Sequence, residues 1–108
     1  MLLHVTDAEY LTDYTIKLTF NDGRIGTVNL FDTLVGPVFE PLKKISLFMQ
    51  CKVDKELETL VWPNGADFAP EYLYFLAFQD IPKLQAQFQQ WGYQSSQSLS
   101  LSCEFKHD

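Results

Sequence analysis

An α+β fold is predicted for this chain: a mostly antiparallel sheet built from hairpins, closed by one or two C-terminal helices. Three observations carry the prediction. Two stretches, residues 14–20 and 49–62, alternate apolar and polar side chains with a period of two. After Trp62-Pro63 the period lengthens to that of a helix, first over residues 70–78 and again over 80–91. The composition, 46% hydrophobic and 15% aromatic over 108 residues, suffices for one buried core without metal or disulfide staples. A single domain over residues 1–92 is expected, followed by a C-terminal tail over 93–108.

Taken in order, "LLHVTDAEYL" reads as a first strand, with Thr12-Asp13 as its turn. In "YTIKLTF", Tyr14, Ile16, Leu18 and Phe20 share one face, while Thr15, Lys17 and Thr19 share the other. The register of the next hairpin follows from this alternation. A two-residue Asp-Gly loop would set Ile16 against Asn29 and Leu18 against Thr27. A three-residue loop, Asn21-Asp22-Gly23 with Gly23 left-handed, sets Ile16 against Val28 and Leu18 against Gly26. Only the second keeps Val28 and Leu30 on the apolar face, so it is the expected one.

The segment "FDTLVGPVFEPL" is broken by Gly36, Pro37 and Pro41 and reads as a connection from which Phe39 and Leu42 plug the core. "PLKKISLF" suits a brief helix begun by Pro41. A second hairpin, "MQCKVDKELETLVW", with a tight turn at Lys55-Glu56, would place Met49, Cys51 and Val53 on the face of Leu60 and Trp62. "PEYLYFLAF" is a helix from Pro70, apolar all round. "DIPKLQAQFQQWGY" is a second helix begun by Asp80 and stopped by Gly92, with Ile81, Leu84, Phe88 and Trp91 as its stripe. Residues 94–98 are a polar break. Residues 99–105, "LSLSCEF", alternate again, either as an edge strand or as a tail that orders against a partner.

Charge excludes several classes of function. Fourteen acidic residues against eight basic ones give a net charge of -6, a field that repels nucleic-acid phosphates and anionic membranes. No apolar run approaches the roughly 18 residues a spanning helix needs. The N-terminus is too short in its apolar run, and too acidic after it, for a signal peptide. Cys51 and Cys103 lie far apart without a Cys-x-x-Cys pair, which fits two reduced thiols in a cytoplasmic protein. His4 and His107 are isolated, and no calcium-loop, Walker-type, nucleophile-elbow or dinucleotide motif is present, so no metal or cofactor is expected. Gly23 and Gly26 read as hairpin glycines.

"WPNGAD", residues 62–67, admits two readings. As architecture, Pro63 ends a strand by withholding an amide, Asn64-Gly65 supplies a sharp turn, and Asp67 or Ala69 caps the helix begun at Pro70. As a binding site, Trp62, Asn64, Asp67 and Glu71 line a polar rim. Two carboxylates near a helix start favour ionisation, which argues against a proton-holding acid. Turn chemistry accounts for every letter, and the architectural reading is preferred.

The His-x-Val start, "DYTIKLTFNDGRIGTVNL", "GPVFEPL" and "LVWPNGADFAPEYLY" together resemble the small bacterial family called domain of unknown function 2442, over about residues 2–78. The resemblance implies a small α+β domain with a helix after the corner, and no established activity. It also implies a chain that is often a single domain, sometimes with an appended helix-turn-helix, and that in some members lies beside a second small protein, as toxin–antitoxin pairs do. Asn29 and Lys44 stand where acidic residues are common in the family, and nothing after residue 78 reads as a DNA-reading helix pair. The expectation is therefore a non-enzymatic protein-interaction module, the antitoxin-like half of a two-protein pair, that binds a protein partner or itself. Tyr72, Phe75, Phe78 and Trp91 would serve as aromatic anchors, and residues 99–105 as an added strand. The alternatives are a small enzyme or ligand-binding protein using Asn64, Asp67 and Glu71, and a transcriptional regulator.

Overall fold

The computed structural model describes residues 2–93. The alternating stretch at 99–105, with Cys103, lies outside the described residues. Strands β1 (Val5–Thr12), β2 (Thr15–Phe20) and β3 (Ile25–Asn29) form an antiparallel sheet in chain order. The β1–β2 turn falls at Asp13-Tyr14, one residue beyond the expected Thr12-Asp13, because Thr12 still pairs with Thr15, and Asp13 takes a positive φ of 49° to make it. Between β2 and β3 the loop has three residues. The Phe20 amide donates to the Arg24 carbonyl at 2.9 Å, the Gly23 amide to the Phe20 carbonyl at 2.9 Å, and Gly23 has φ 90°. Ile16 faces Val28 and Leu18 faces Gly26. Ile16, Leu18, Phe20 and Val28 are buried, so the register that hides the apolar face is the one adopted.

Two 3-10 turns, Phe31–Thr33 and Glu40–Lys43, and a one-turn helix α1 (Ile45–Phe48) follow. The helix expected from Pro41 is split because Lys44 is extended, with φ -78° and ψ 117°. Leu42 is buried and Phe39 packs half-buried beside the core, the plugging role anticipated for both.

Strands β4 (Lys52–Asp54) and β5 (Thr59–Val61) pair with Val53 opposite Leu60. Their connection is Lys55–Glu58, wider than the tight turn expected. Asp54 explains the difference: its Oδ1 accepts from the amides of Glu56 at 2.8 Å and Leu57 at 2.9 Å, while its carbonyl accepts from Glu58 at 2.7 Å. The register moves by two residues, which leaves Val53 on the face of Leu60. Met49 does not join that face; it ends α1 and is half-exposed. The two sheets meet where the Val5 amide donates to the Glu58 carbonyl at 2.9 Å.

Helix α2 (Pro70–Phe78) lies on β3, and a further 3-10 turn, Pro82–Leu84, leads into helix α3 (Gln85–Trp91). Asp80 does not begin the second helix. Ile81 precedes Pro82, whose ring disfavours helical backbone before it, and Ile81 is extended. Gly92, at φ 93°, stops α3 as expected. Gly26 is more than a hairpin glycine. A Cβ there would sit 2.8 Å from the Phe78 ring and 3.1 Å from the Ala77 Cβ, so its bare backbone is what lets α2 lie so close to the sheet.

Candidate functional site

The corner at residues 62–67 repeats the β2–β3 loop. The Trp62 amide donates to the Ala66 carbonyl at 2.9 Å, the Gly65 amide to the Trp62 carbonyl at 3.0 Å, and Gly65 has φ 92°. Asn64 Oδ1 accepts from the Ala66 amide at 3.1 Å, as Asp22 Oδ1 accepts from Arg24 at 2.9 Å. Both are three-residue turns ending in a left-handed glycine with an Asx brace. The chain therefore doubles back before entering α2: Val61 bridges Asp67, and the Phe68 amide donates to the Leu60 carbonyl. Trp62 is buried and its Nε1 donates to the Phe48 carbonyl at 2.7 Å, while Asn64 Nδ2 donates to the Val38 carbonyl at 2.9 Å. These bonds pin the segment between β3 and β4 to the corner.

The cap of α2 is Ala69, extended, with Pro70 at the first helical position and no side chain bonded to the helix start. Asp67 is thus not the cap, and its side chain faces solvent. Glu71 is half-buried in the first turn. Of the expected aromatic anchors, Phe75 and Phe78 are inside the core, where Phe75 meets Phe88 edge-on at 5.2 Å and Phe78 meets Phe20 at 5.7 Å. Tyr72 and Trp91 are half-buried. The surplus apolar face of α2 is covered by α3 and β3 of the same chain, so Phe75 and Phe78 are not exposed anchors, and Trp62, buried at the corner, does not line an open rim.

A grouping that sequence reasoning missed lies where the β2–β3 loop, α2 and α3 converge. The Tyr74 hydroxyl donates to Asp22 Oδ2 at 2.6 Å. Arg24 Nε stands 3.7 Å from the same oxygen, with its guanidinium 6.0 Å from the Phe78 ring. Burial, then the hydrogen bond and charge of Asp22, pushes the Tyr74 phenol up to about 12. A cavity of about 220 Å³ opens here, walled by Leu3, Asp22, Tyr74, Leu84, Gln87 and Trp91. Its trace in the sequence is the three- and four-residue spacing of Leu84, Gln87 and Trp91, from the end of the 3-10 turn along α3.

At the other end of the sheet, Tyr14 and Phe31 pack with ring centroids 4.9 Å apart, Lys43 Nζ lies 5.5 Å from the Phe31 ring, and the Tyr14 hydroxyl donates to the Lys43 carbonyl. Asp13, Asn29 and Asp32 border an open depression beside these rings. Among the described residues no group of three or more His, Cys, Asp or Glu is placed to hold a metal ion, and no helix is long and apolar enough to cross a membrane. Burial pushes the Cys51 thiol up, which leaves it a poor nucleophile.

A three-stranded antiparallel meander backed by a helix, with a short second hairpin stitched to its first strand, defines a small α+β domain. The family model described as a protein of unknown function, DUF2442, matches residues 5–79, and the chain belongs to that family. Leu84, Gln87 and Trp91 lie beyond the matched residues. The chain is similar in fold to the crystal structure of a "Putative DNA Binding Protein", NE0471, from Nitrosomonas europaea ATCC 19718. The TM-score is 0.68 at 17% identity, over 96% of this chain and 68% of that one. No curated protein matches the chain.

Proposed function

We propose that the chain is a non-enzymatic protein-interaction module, the partner-neutralising half of a two-protein pair acting in the bacterial cytoplasm. The observation that supports this most is that, of the nine large apolar side chains that stay exposed among the described residues, five lie on one connection. Phe31, Val35, Val38, Leu47 and Met49 are all exposed and all belong to the connection between β3 and β4, with Val35 64% exposed. That connection is not a loose loop. Its carbonyls at Val38 and Phe48 are held by Asn64 and Trp62, so the greasy side chains are displayed on a braced support. Where such side chains join into a contiguous apolar patch, that patch marks contact with another chain.

The corner supports catalysis poorly. Asn64 is engaged at both ends of its amide, and Asp67, on the returning arm of the hairpin, turns its side chain to solvent. The regulator reading has one point in favour, the description of the Nitrosomonas protein as DNA-binding. Against it stands a chain of net charge -6, for which a gel shift at low salt should show no complex.

The test is a Val35→Ser/Val38→Ser double variant, both positions being solvent-facing. The wild-type chain should capture a partner from its host, or gain mass with concentration in light scattering as copies associate. The variant should lose this while melting within a few degrees of wild type. Identical capture and identical mass for the two proteins would remove the support.

A further inference from the structure

We propose that the cavity between the β2–β3 loop, α2 and α3 receives the cationic end of a lysine or arginine side chain from the partner. This rests on the interaction-module reading and gives the partner a chemistry. Size comes first. At about 220 Å³ the cavity is below the roughly 300–1,000 Å³ of sites for whole small molecules, and suits a single side chain.

Charge comes second. Asp22 is the one formally charged residue among those lining the cavity. Arg24 is not in the lining; its Nε pairs with Asp22 Oδ2 at 3.7 Å, its guanidinium lies 6.0 Å from the Phe78 ring, and its charge also reaches the Tyr74 hydroxyl. Each carboxylate oxygen of Asp22 accepts one hydrogen bond, Oδ1 from the Arg24 amide and Oδ2 from Tyr74, and each keeps acceptor capacity for a further donor.

The walls come third. Tyr74 is buried and meets Trp91 edge to face with centroids 6.1 Å apart, so the half-buried Trp91 indole is the aromatic wall a cation can reach beside the Asp22 carboxylate. Gln87, exposed on α3 at the rim, adds an amide carbonyl that can accept from an ammonium or guanidinium. A phosphate or carboxylate would meet Asp22 with like charge and no basic side chain in the lining. The acidic balance of the whole chain draws a basic partner to the same place.

The experiment titrates the folded full chain with N-acetyl-arginine amide and N-acetyl-lysine amide, and with their neutral counterparts built on citrulline and norleucine. The Trp91 indole N–H resonance, assigned with Trp91→Phe, reports binding. The cationic probes should give a saturable shift at millimolar concentration that weakens with salt, and the better of the two identifies the side chain. The neutral probes should give none. Asp22→Asn keeps the oxygen that braces the turn and should weaken binding about threefold, the scale of one partly exposed ion pair. Gln87→Glu, at an exposed position, should tighten it by a similar factor whether or not the Asp22 variant folds. No saturable shift, equal shifts from the neutral probes, or indifference to Gln87→Glu would overturn the proposal. A captured partner whose binding survives Asp22→Asn would sink the pocket alone. Cation binding without any captured partner would sink only the reading it rests on.

Discussion

Tyr74 shows how much one side chain can carry. Its ring packs edge-on against Phe20 at 5.0 Å and Phe78 at 4.8 Å, and its hydroxyl reaches Asp22 across 52 positions of sequence. Folding raises its pKa from 10.0 to about 12. The unfolded chain therefore gives up this proton near pH 10, while the native chain holds it. Between those values the unfolded state binds fewer protons, so this contribution to stability is complete below pH 10 and fades as pH rises through about 12. Chemical denaturation midpoints should fall more steeply over that window for wild type than for Tyr74→Phe. Absorbance titration of tyrosinate should show one phenol moving back toward 10 in Asp22→Asn. Single-sequence reading had no access to this pair. Asp22 is fully accounted for as a turn residue, and Tyr74 sits in a helix apolar on every side, so neither letter signals the other.

Among the elements, the contact of α2 with β3 is the most exacting. Gly26→Ala would drive a methyl group to 2.8 Å from the Phe78 ring, and overpacking of this kind costs about 1–3 kcal/mol. Urea unfolding should show that loss, and Phe78→Leu on the same background should return part of it by making room. The β2–β3 register was legible because only one loop length hides Val28. The β4–β5 connection was not, since the Asp54 side chain competes with the backbone for the loop amides and adds residues that alternation does not count. The corner was legible as a turn but not as a second hairpin. Its pairing partner is only the short stretch around Asp67 and Phe68, too brief to alternate.

For the molecule as a whole, α3 belongs to the same core as the family-matched region although it lies outside it. Phe88 is buried against Phe75, Tyr74 and Trp91. Phe88→Ala should cost about 3–5 kcal/mol, a large part of the 5–15 kcal/mol typical of a domain. Far-UV circular dichroism and tryptophan fluorescence should still report a single coincident transition, Trp62 and Trp91 being in different elements. Two separate transitions would mean that α3 is an independent appendage. The candidate cavity was illegible for the same reason: it exists only where three elements from distant parts of the chain come together. The strands are arranged the other way, each ladder joining neighbours in sequence. Hairpins of this reach zip within microseconds, and topologies dominated by near contacts fold fast. As the chain leaves the ribosome, the meander can close behind itself before α2 has been synthesised. The seating of Phe78 on Gly26, the Tyr74 bond to Asp22 and the clasp from Val5 to Glu58 must wait for distant residues to arrive.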